Sequence, residues 1–247
     1  MTDILLLGGT KMARLLASHL GQKYNVIYSI AGTTKAAKLP TYCQQIAGGF
    51  GGADGLADYL KTQNINICID ATHPFAQNIS LNAIKACAQA GIAIIQYARK
   101  AWDIEAAHIF TTEAELTNAL PVNAKILLTI GGQNITPFLT LTQPIIARMI
   151  EPPKLDGHPL PAHFNILLSR PPYDLDAEIA LMQKYKITHL ICKDSGGDTL
   201  ATKLTAAQQL GIEIYMLARP KSPHNTQLFN ICEIETYLNK RLLVSPS

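Results

Sequence analysis

The sequence predicts an α/β protein of two similar halves, each built around a mainly parallel sheet, with a cleft between them. Short runs of Ile, Leu and Val alternate with amphipathic stretches of helical spacing, which is the pattern of strand–helix–strand units. The run ILLLGGT at residues 4–10 is echoed by KILLTIGG at residues 125–132, so a strand and a glycine pair open each half. Because the rhythm breaks near Leu120-Pro121, we expect two domains, 1–122 and 123–247.

Nine strands and six helices are predicted from these runs. The strands, which are short apolar runs next to polar or turn-forming residues, are expected at 3–7, 25–30, 66–70, 92–97, 125–130, 144–149, 165–169, 188–192 and 212–217. The helices, in which apolar residues recur three or four positions apart, are expected at 11–21, 53–63, 77–90, 174–186, 199–210 and 231–241. The stretch 150–163 is too polar and too rich in proline for a regular element, which favours a loop at the cleft over a plain connector.

Composition and charge indicate an ordinary globular protein without a nucleic-acid partner. The 247 residues are 48% hydrophobic and carry a net charge of +3. Residues 1–123 hold 9 Lys and Arg against 8 Asp and Glu, and residues 124–247 hold 12 against 10, so neither half has a strong basic excess. No apolar run reaches the ~18 residues of a membrane span, and no basic leader precedes the first strand, so we expect no membrane partner and a cytoplasmic location.

The five cysteines are scattered and form no Cys-x-x-Cys pair. Cys68 and Cys192 lie inside apolar runs, where a small buried thiol is usual. We therefore expect structural thiols and no metal site.

A strand, a tight turn and a helix follow one another in ILLLGGTKMARLL, residues 4–16. This is the context in which dinucleotides bind, because a helix N-terminus offers free N–H groups and a partial positive charge to a pyrophosphate. Gly8 fits the first position of G-x-G-x-x-G/A and Ala13 the last, but Thr10 stands at the middle glycine. The turn favours nucleotide binding over a glycine that serves backbone geometry alone.

The end of the second strand has no carboxylate of the kind that holds the ribose 2′-hydroxyl of NAD. It offers the hydroxyls of Thr33 and Thr34 with Lys35 nearby, and this set would accept a 2′-phosphate. NADPH is therefore expected, with NADH possible; a solvated turn is the alternative.

Two further strand ends carry clusters of polar residues. Asp70, Thr72 and His73 follow the third strand, and ligands of open parallel sheets lie outside the carboxyl ends of strands. The alternative is a helix cap with a packed histidine. In the second half, Lys193 and Ser195 precede a glycine pair and a helix start, which suits an anion, although a capped turn with a solvated lysine remains open.

Three arginines, Arg148, Arg170 and Arg219, lie at or just beyond strands of the second half. Guanidinium groups there suit carboxylates or phosphates, with surface ion pairs as the alternative. The sequence contains no Tyr-x-x-x-Lys, G-x-S-x-G, H-E-x-x-H or G-x-x-x-x-G-K-[ST], so several common reaction classes are not indicated.

Taken together, the motifs resemble the precorrin-6A reductase family of cobalamin biosynthesis, including its cobalt-precorrin-6A counterpart. The matching stretches follow one another along nearly the whole chain: LLLGGTKMARLLA (5–17), SIAG (29–32), GGFGGADGLADYL (48–60), IDATHPFAQNIS (69–80), 99–102, TIGGQ (129–133), ARMIEPP (147–153), LLSRPPYDLDAE (167–178), KDSGGDTLATKLTAA (193–207) and ARP (218–220). The resemblance implies two Rossmann-like lobes, with a possible exchange of a strand between them, and hydride transfer from NADPH to a ring double bond of a tetrapyrrole.

The resemblance also implies which residues form the site. The cofactor side would comprise Gly8, Gly9, Thr10, Ala31, Gly32, Thr33, Asp70, Ala71, Thr72 and His73. The catalytic residues would be Lys193, Asp194 and Ser195. The substrate side would comprise Gly49, Phe50, Gly51, Arg148, Arg170, Gly196 and Gly197.

This chain departs from the family pattern at two of these positions. Thr33 stands where an arginine is common, and Asp194 stands where an asparagine is common. The first departure leaves the preference for NADPH open, and the second offers a carboxylate that could hold or relay a proton. The GGFGG turn would let the backbone and Phe50 approach the nicotinamide or the macrocycle, with a purely structural helix entry as the alternative.

Two other functions remain open at this point. One is a non-catalytic regulator that senses a dinucleotide, and the other is a reductase of a different polycarboxylate. The expected assembly is a monomer or a small homo-oligomer.

We expect Thr33→Arg to raise the preference for NADPH over NADH by about tenfold, because a guanidinium forms charged hydrogen bonds with a 2′-phosphate. The ratio of the kcat/KM values for the two cofactors measures this preference. An unchanged ratio would show that this turn does not contact the 2′ position.

Overall fold

The computed structural model describes residues 3–31, 39–133, 135–153, 155, 157–197 and 201–243, without the side chains of 242 and 243. The chain divides into two compact units. The first consists of Met1–Arg99 together with Pro220–Ser247, and the second of Lys100–Arg219.

The described residues form twelve strands and seven α-helices. The strands are β1 (Asp3–Leu7), β2 (Asn25–Ile30), β3 (Gln44–Ala47), β4 (Ile67–Asp70), β5 (Ala93–Tyr97), β6 (Ala107–Phe110), β7 (Ile126–Thr129), β8 (Ile145–Met149), β9 (Phe164–Leu168), β10 (His189–Lys193), β11 (Glu213–Leu217) and β12 (Gln227–Leu228). The helices are α1 (Lys11–Leu20), α2 (Gly52–Thr62), α3 (Gln77–Ala90), α4 (Glu113–Asn118), α5 (Leu175–Lys184), α6 (Thr202–Gln209) and α7 (Ile231–Leu243).

Each unit contains one six-stranded sheet, and the pairings between its described strands are parallel. The first sheet has the order β3-β2-β1-β4-β5-β12, and the second has the order β9-β8-β7-β10-β11-β6. In the first sheet the chain runs outward from β1 through β2 to β3 and then returns to β4 on the other side of β1. Ligands of such sheets bind at the carboxyl ends of the strands where the order reverses, which here is between β1 and β4.

The division into units differs from the predicted boundary at 122/123. β6 lies before that boundary but pairs with β11 of the second sheet, and β12 lies near the C-terminus but pairs with β5 of the first. β12 thus joins the first sheet from beyond the whole of the second unit, whereas β6 belongs to the continuous stretch that forms the second unit. These strands have four and two residues, too few for a periodicity that a sequence could reveal.

The nine predicted strands and six predicted helices all occur in the structure, with ends shifted by up to three residues. The predictions missed β3, β6, β12 and the six-residue helix α4, which are short, and a 3₁₀ turn at Thr136–Phe138. The described part of the stretch 150–163 contains no helix or strand, as predicted.

β1 forms the centre of the first core. Ile4 and Leu6 pack with α1 and α7 on one face of the sheet, whereas Leu5 and Leu7 pack with α2 and α3 on the other. Because both faces are covered, this strand is apolar at every central position, as buried parallel strands usually are. None of the helices among the described residues is both long enough and apolar enough to span a membrane.

Candidate functional site

The turn after β1 is built around a close approach of Gly8 to the Tyr28 ring. The Gly8 N–H donates to the Ser29 carbonyl at 2.8 Å, and the Gly9 N–H donates to the Tyr28 hydroxyl at 3.0 Å. A Cβ atom on Gly8 would lie 2.3 Å from Cε2 of Tyr28, whose ring is buried. Gly9 has a φ of +102°, a conformation that favours glycine. The glycine pair is therefore required by the local geometry.

Thr10 explains why the middle glycine of the dinucleotide motif is absent. Its hydroxyl oxygen caps α1 by accepting the Ala13 N–H at 3.0 Å, and the hydroxyl donates to the Ala71 carbonyl at 3.2 Å. One side chain thus caps the helix and connects the turn after β1 with the turn after β4. The structure brings these two predicted parts of the cofactor site together.

Asp70 is the centre of the turn after β4. Its Oδ1 accepts hydrogen bonds from the Thr72 N–H at 3.0 Å and the Thr72 hydroxyl at 2.7 Å. Its Oδ2 accepts from the Ser80 hydroxyl at 2.5 Å and pairs with His224 Nε2 at 2.8 Å. Burial acts to raise the pKa of Asp70, but the hydrogen bonds from His224, Ser80 and Thr72 outweigh it, so this pKa lies below its usual value.

His73 is half-buried beside the same turn. Its Nδ1 accepts the Phe75 N–H at 3.3 Å, and the two rings lie 5.7 Å apart. Ala71 is buried, and its N–H continues the β1–β4 ladder by donating to the Leu7 carbonyl at 2.9 Å. The predicted site residues Gly32 and Thr33 lie outside the described part of the chain, and Ala31 is exposed.

The GGFGG turn is fixed on α2. Gly51, with a φ of +79°, precedes the first residue of that helix, and a Cβ on Gly55 would lie 1.8 Å from the Phe50 carbonyl oxygen. The Phe50 ring packs on Tyr59, with ring centroids 5.1 Å apart. This turn therefore presents the backbone of Gly49, at which an added Cβ would meet no atom of the described residues within 4 Å.

In the second unit, the turn after β10 is organised by the buried carboxylate of Asp194. Its Oδ1 accepts hydrogen bonds from the backbone N–H of Trp102 at 3.1 Å and from Nη2 of Arg219 at 2.8 Å. Its Oδ2 accepts a hydrogen bond from Nε of Arg219 at 2.9 Å. This bidentate pair fixes the position and orientation of the carboxylate. Arg219, singled out at a strand end but not assigned to the site from sequence, thus fixes a predicted site residue.

The rest of this turn consists of Lys193, Ser195 and two glycines, whose backbone carries no side chain. Gly196 and Gly197 have φ values of +63° and +76°, and the Trp102 indole N–H donates to the Gly197 carbonyl at 2.9 Å. The Ser195 N–H donates to the Lys193 carbonyl at 2.7 Å. Burial lowers the pKa of Lys193, and the nearby charge of Glu113 opposes that shift.

A second lysine, Lys203 on α6, was not predicted as a site residue. It is 6% exposed, its ammonium donates to the Thr129 hydroxyl at 3.1 Å, and it lies 5.6 Å from the centroid of the Trp102 ring. Burial lowers its pKa. The sequence could have indicated that Lys203 is buried, because it lies four residues before Ala207 and therefore on the same, apolar face of the helix.

The two arginines assigned to substrate are both in ion pairs. Arg148 is buried, and its Nη1 and Nη2 donate to Glu178 at 2.9 and 2.8 Å while its guanidinium lies 4.0 Å from the Tyr173 ring centroid. Arg170 is exposed and donates to Glu151 at 2.6 Å.

The strand order of the first sheet, with the Gly8–Thr10 turn and α1 at its reversal point, defines a protein of the dinucleotide-binding α/β class. A family model described as precorrin-6x reductase CbiJ/CobK matches residues 3–239. The precorrin-6A reductase of Rhodococcus erythropolis is 38% identical over 234 residues, 92% of this chain and 93% of that protein.

The cobalt-precorrin-6A reductase of Priestia megaterium is 30% identical over 239 residues, 90% of this chain and 92% of that protein. A solved structure described as CobK precorrin-6A reductase superposes with a TM-score of 0.89 at 33% identity, covering 97% of each chain. The chain belongs to the precorrin-6x reductase family and is an oxidoreductase that acts on a carbon–carbon double bond. The resemblance inferred from sequence is confirmed.

We expect Gly8→Ala to lower the free energy of unfolding by about 1–3 kcal/mol, because the new methyl group would overlap the buried Tyr28 ring. Gly49→Ala is the matched control, and we expect it to stay within about 0.5 kcal/mol of the wild type. Urea unfolding followed by circular dichroism measures both. Equal stability of the two variants would show that the Tyr28 ring moves aside at no cost.

We expect Lys203→Met to raise Tm at pH 7, by about 2–4 °C for each kcal/mol gained, because methionine keeps the apolar stem and removes a buried charge. The pKa of Lys203 in the folded protein lies below 10.5, its value in the unfolded chain. Between these two pKa values the unfolded chain binds more protons, so the free energy of unfolding of the wild type increases as pH rises through this range. The Tm difference should therefore shrink toward pH 10. Lys184→Met, at an exposed site, is the control. A lower Tm for Lys203→Met at pH 7 would show that the hydrogen bond to Thr129 outweighs the burial cost.

Proposed function

We propose that this chain catalyses the NADPH-dependent reduction of a ring double bond of precorrin-6A in cobalamin biosynthesis. The observation that carries the proposal is the family match over residues 3–239. The first unit supports a nicotinamide dinucleotide as reductant, because its phosphate-type turn lies at the reversal point of the sheet.

The residues of the first unit fit a dinucleotide. The first N–H groups of α1 have no partner within the helix, and its first turn contains no acidic residue that would compete with a pyrophosphate. In this proposal Gly8, Gly9 and Thr10 hold the pyrophosphate, and the Asp70–His73 turn lines the nicotinamide side. The second strand end, Ala31 to Thr33, would receive the ribose. When bound, the cofactor supplies the hydride, and the chain supplies position and charge.

The residues of the second unit fit a polycarboxylate. Lys193, Ser195 and the backbone at Gly196 and Gly197 would bind acetate or propionate groups of the macrocycle. Gly49, Phe50 and Gly51 are the substrate contacts proposed for the first unit. Arg170 pairs with Glu151 through an exposed guanidinium, and a substrate carboxylate could replace that partner. Opening the buried Arg148–Glu178 pair would leave a charge without a partner, so the contribution of Arg148 is to hold Tyr173 and Glu178 in place.

Asp194 acts in this proposal as the anchor of its turn. Its two oxygens already accept three hydrogen bonds, two of them from a guanidinium. The carboxylate therefore orients Lys193 and Ser195 toward the substrate more readily than it relays a proton.

The relatives favour the metal-free substrate. The Rhodococcus protein named for precorrin-6A is 38% identical, whereas the Priestia protein named for cobalt-precorrin-6A is 30% identical. Precorrin-6A is therefore the expected substrate, and its cobalt form is the second candidate.

The decisive test incubates the purified chain with NADPH and either precorrin-6A or cobalt-precorrin-6A. We expect the nicotinamide absorbance to fall and the tetrapyrrole spectrum to shift with precorrin-6A. NADPH binding without turnover of either substrate would instead favour a dinucleotide-sensing regulator. Repeating the assay with NADH tests the cofactor preference.

We expect Lys193→Ala to weaken substrate binding by roughly 1–3 kcal/mol and to leave cofactor binding nearly unchanged, because a charged hydrogen bond to a substrate carboxylate is lost. The KM values for precorrin-6A and NADPH separate the two effects. Lys184→Ala is the control for loss of a positive charge in the same unit. Unchanged KM and kcat in Lys193→Ala would remove this lysine from the site.

A further inference from the structure

We propose that His224 is a positioning residue of the reductase, which acts through Asp70 to hold the Asp70–His73 turn in the conformation that receives the cofactor. This proposal rests on the proposed function, in which that turn lines the nicotinamide side of the site. His224 lies in the segment 220–230, which returns to the first unit after the whole of the second.

The two carboxylate oxygens of Asp70 bind different parts of the chain. Oδ1 accepts both hydrogen bonds from Thr72 and so shapes the turn itself. Oδ2 is held by Ser80 and His224, which both lie outside the turn. Because a carboxylate is planar and rigid, fixing Oδ2 fixes where Oδ1 lies, and hence the position of the Thr72 backbone.

His224 can hold that oxygen because it is itself rigidly placed. Its side chain is 1% exposed and that of Asp70 is 0% exposed, so water does not compete for the bond between them. The backbone N–H of His224 donates to the Ser222 hydroxyl oxygen at 3.2 Å, and this hydroxyl donates to Oε1 of Gln96 at 2.7 Å. Gln96 is on β5, the neighbour of β4, so the histidine is anchored to the same sheet that carries Asp70.

The imidazole contacts Asp70 through Nε2. Its second nitrogen, Nδ1, is buried and has no hydrogen-bond partner among the residues that the structure describes. The pKa of Asp70 lies below its usual value and an ionised carboxylate only accepts hydrogen bonds, so Nε2 is the donor in this pair. The proposed role therefore needs an N–H group at the position of Nε2.

This requirement suggests a matched pair of substitutions. In His224→Gln the side-chain amide nitrogen reaches about as far as Nε2, whereas in His224→Asn it reaches only about as far as Nδ1. Both variants replace the ring by an amide of similar polarity. They differ in whether an N–H group reaches Asp70.

The experiment measures the Kd of NADPH from its fluorescence on binding, and the KM values for NADPH and precorrin-6A, for the wild type and both variants. We expect His224→Asn to raise the Kd and KM of NADPH about tenfold, because one hydrogen bond to a buried carboxylate is lost. His224→Gln should stay within about threefold of the wild type. The KM for precorrin-6A should not change, and circular dichroism confirms that each variant is folded.

Ser222→Ala loosens the same segment without removing the bond to Asp70, so we expect a smaller rise in Kd than in His224→Asn. An unchanged Kd in His224→Asn would overturn the proposal, as would an equal rise in His224→Gln and His224→Asn. A wild-type chain that binds no nicotinamide cofactor would reject the proposed function itself. Cofactor binding and turnover by the wild type with equally tight binding by His224→Asn would reject the role of His224 alone.

Discussion

The first unit depends on one buried carboxylate, Asp70, which joins three separate stretches of chain. Thr72 belongs to the turn, Ser80 to α3 and His224 to the C-terminal segment, and all three donate to it. A buried carboxylate is costly unless its oxygens accept several hydrogen bonds. The same bonds that offset this cost also fix the turn at the reversal point of the sheet, so stability and placement of the site have a common origin.

The second unit repeats this solution with different residues. β10 occupies in its sheet the place that β4 occupies in the first, and Asp194 follows it directly. Its partners, Trp102 and Arg219, come from the two ends of the unit's chain. In both units a carboxylate at the end of the fourth strand in the sheet order is thus held by residues far away in sequence, and the polar groups beside it are oriented as a consequence.

The glycine turns serve a complementary purpose. Gly8 lets the backbone pass against the Tyr28 ring, and Gly55 lets the Phe50 carbonyl approach α2. These close approaches order the loops from within, without side chains that would fill the space a ligand needs. The hydrogen bonds of Asp70 and Asp194 fix the turns after β4 and β10, and the glycines leave the outer surface of their own turns without side chains.

The sequence by itself determined the α/β class, the long elements, the family and most of the proposed site, because hydrophobic periodicity and strand–turn–helix motifs are local patterns. Only the tertiary structure decided which units β6 and β12 join, that Arg148 is held by Glu178, and that Thr10 connects two turns. It alone revealed the burial of Lys203 and the role of His224, since the motif that contains Lys203 does not show its burial and His224 belongs to no motif. Asp70 and His224 are 154 positions apart, and their pairing follows from chain segments that meet only after the sheet has formed.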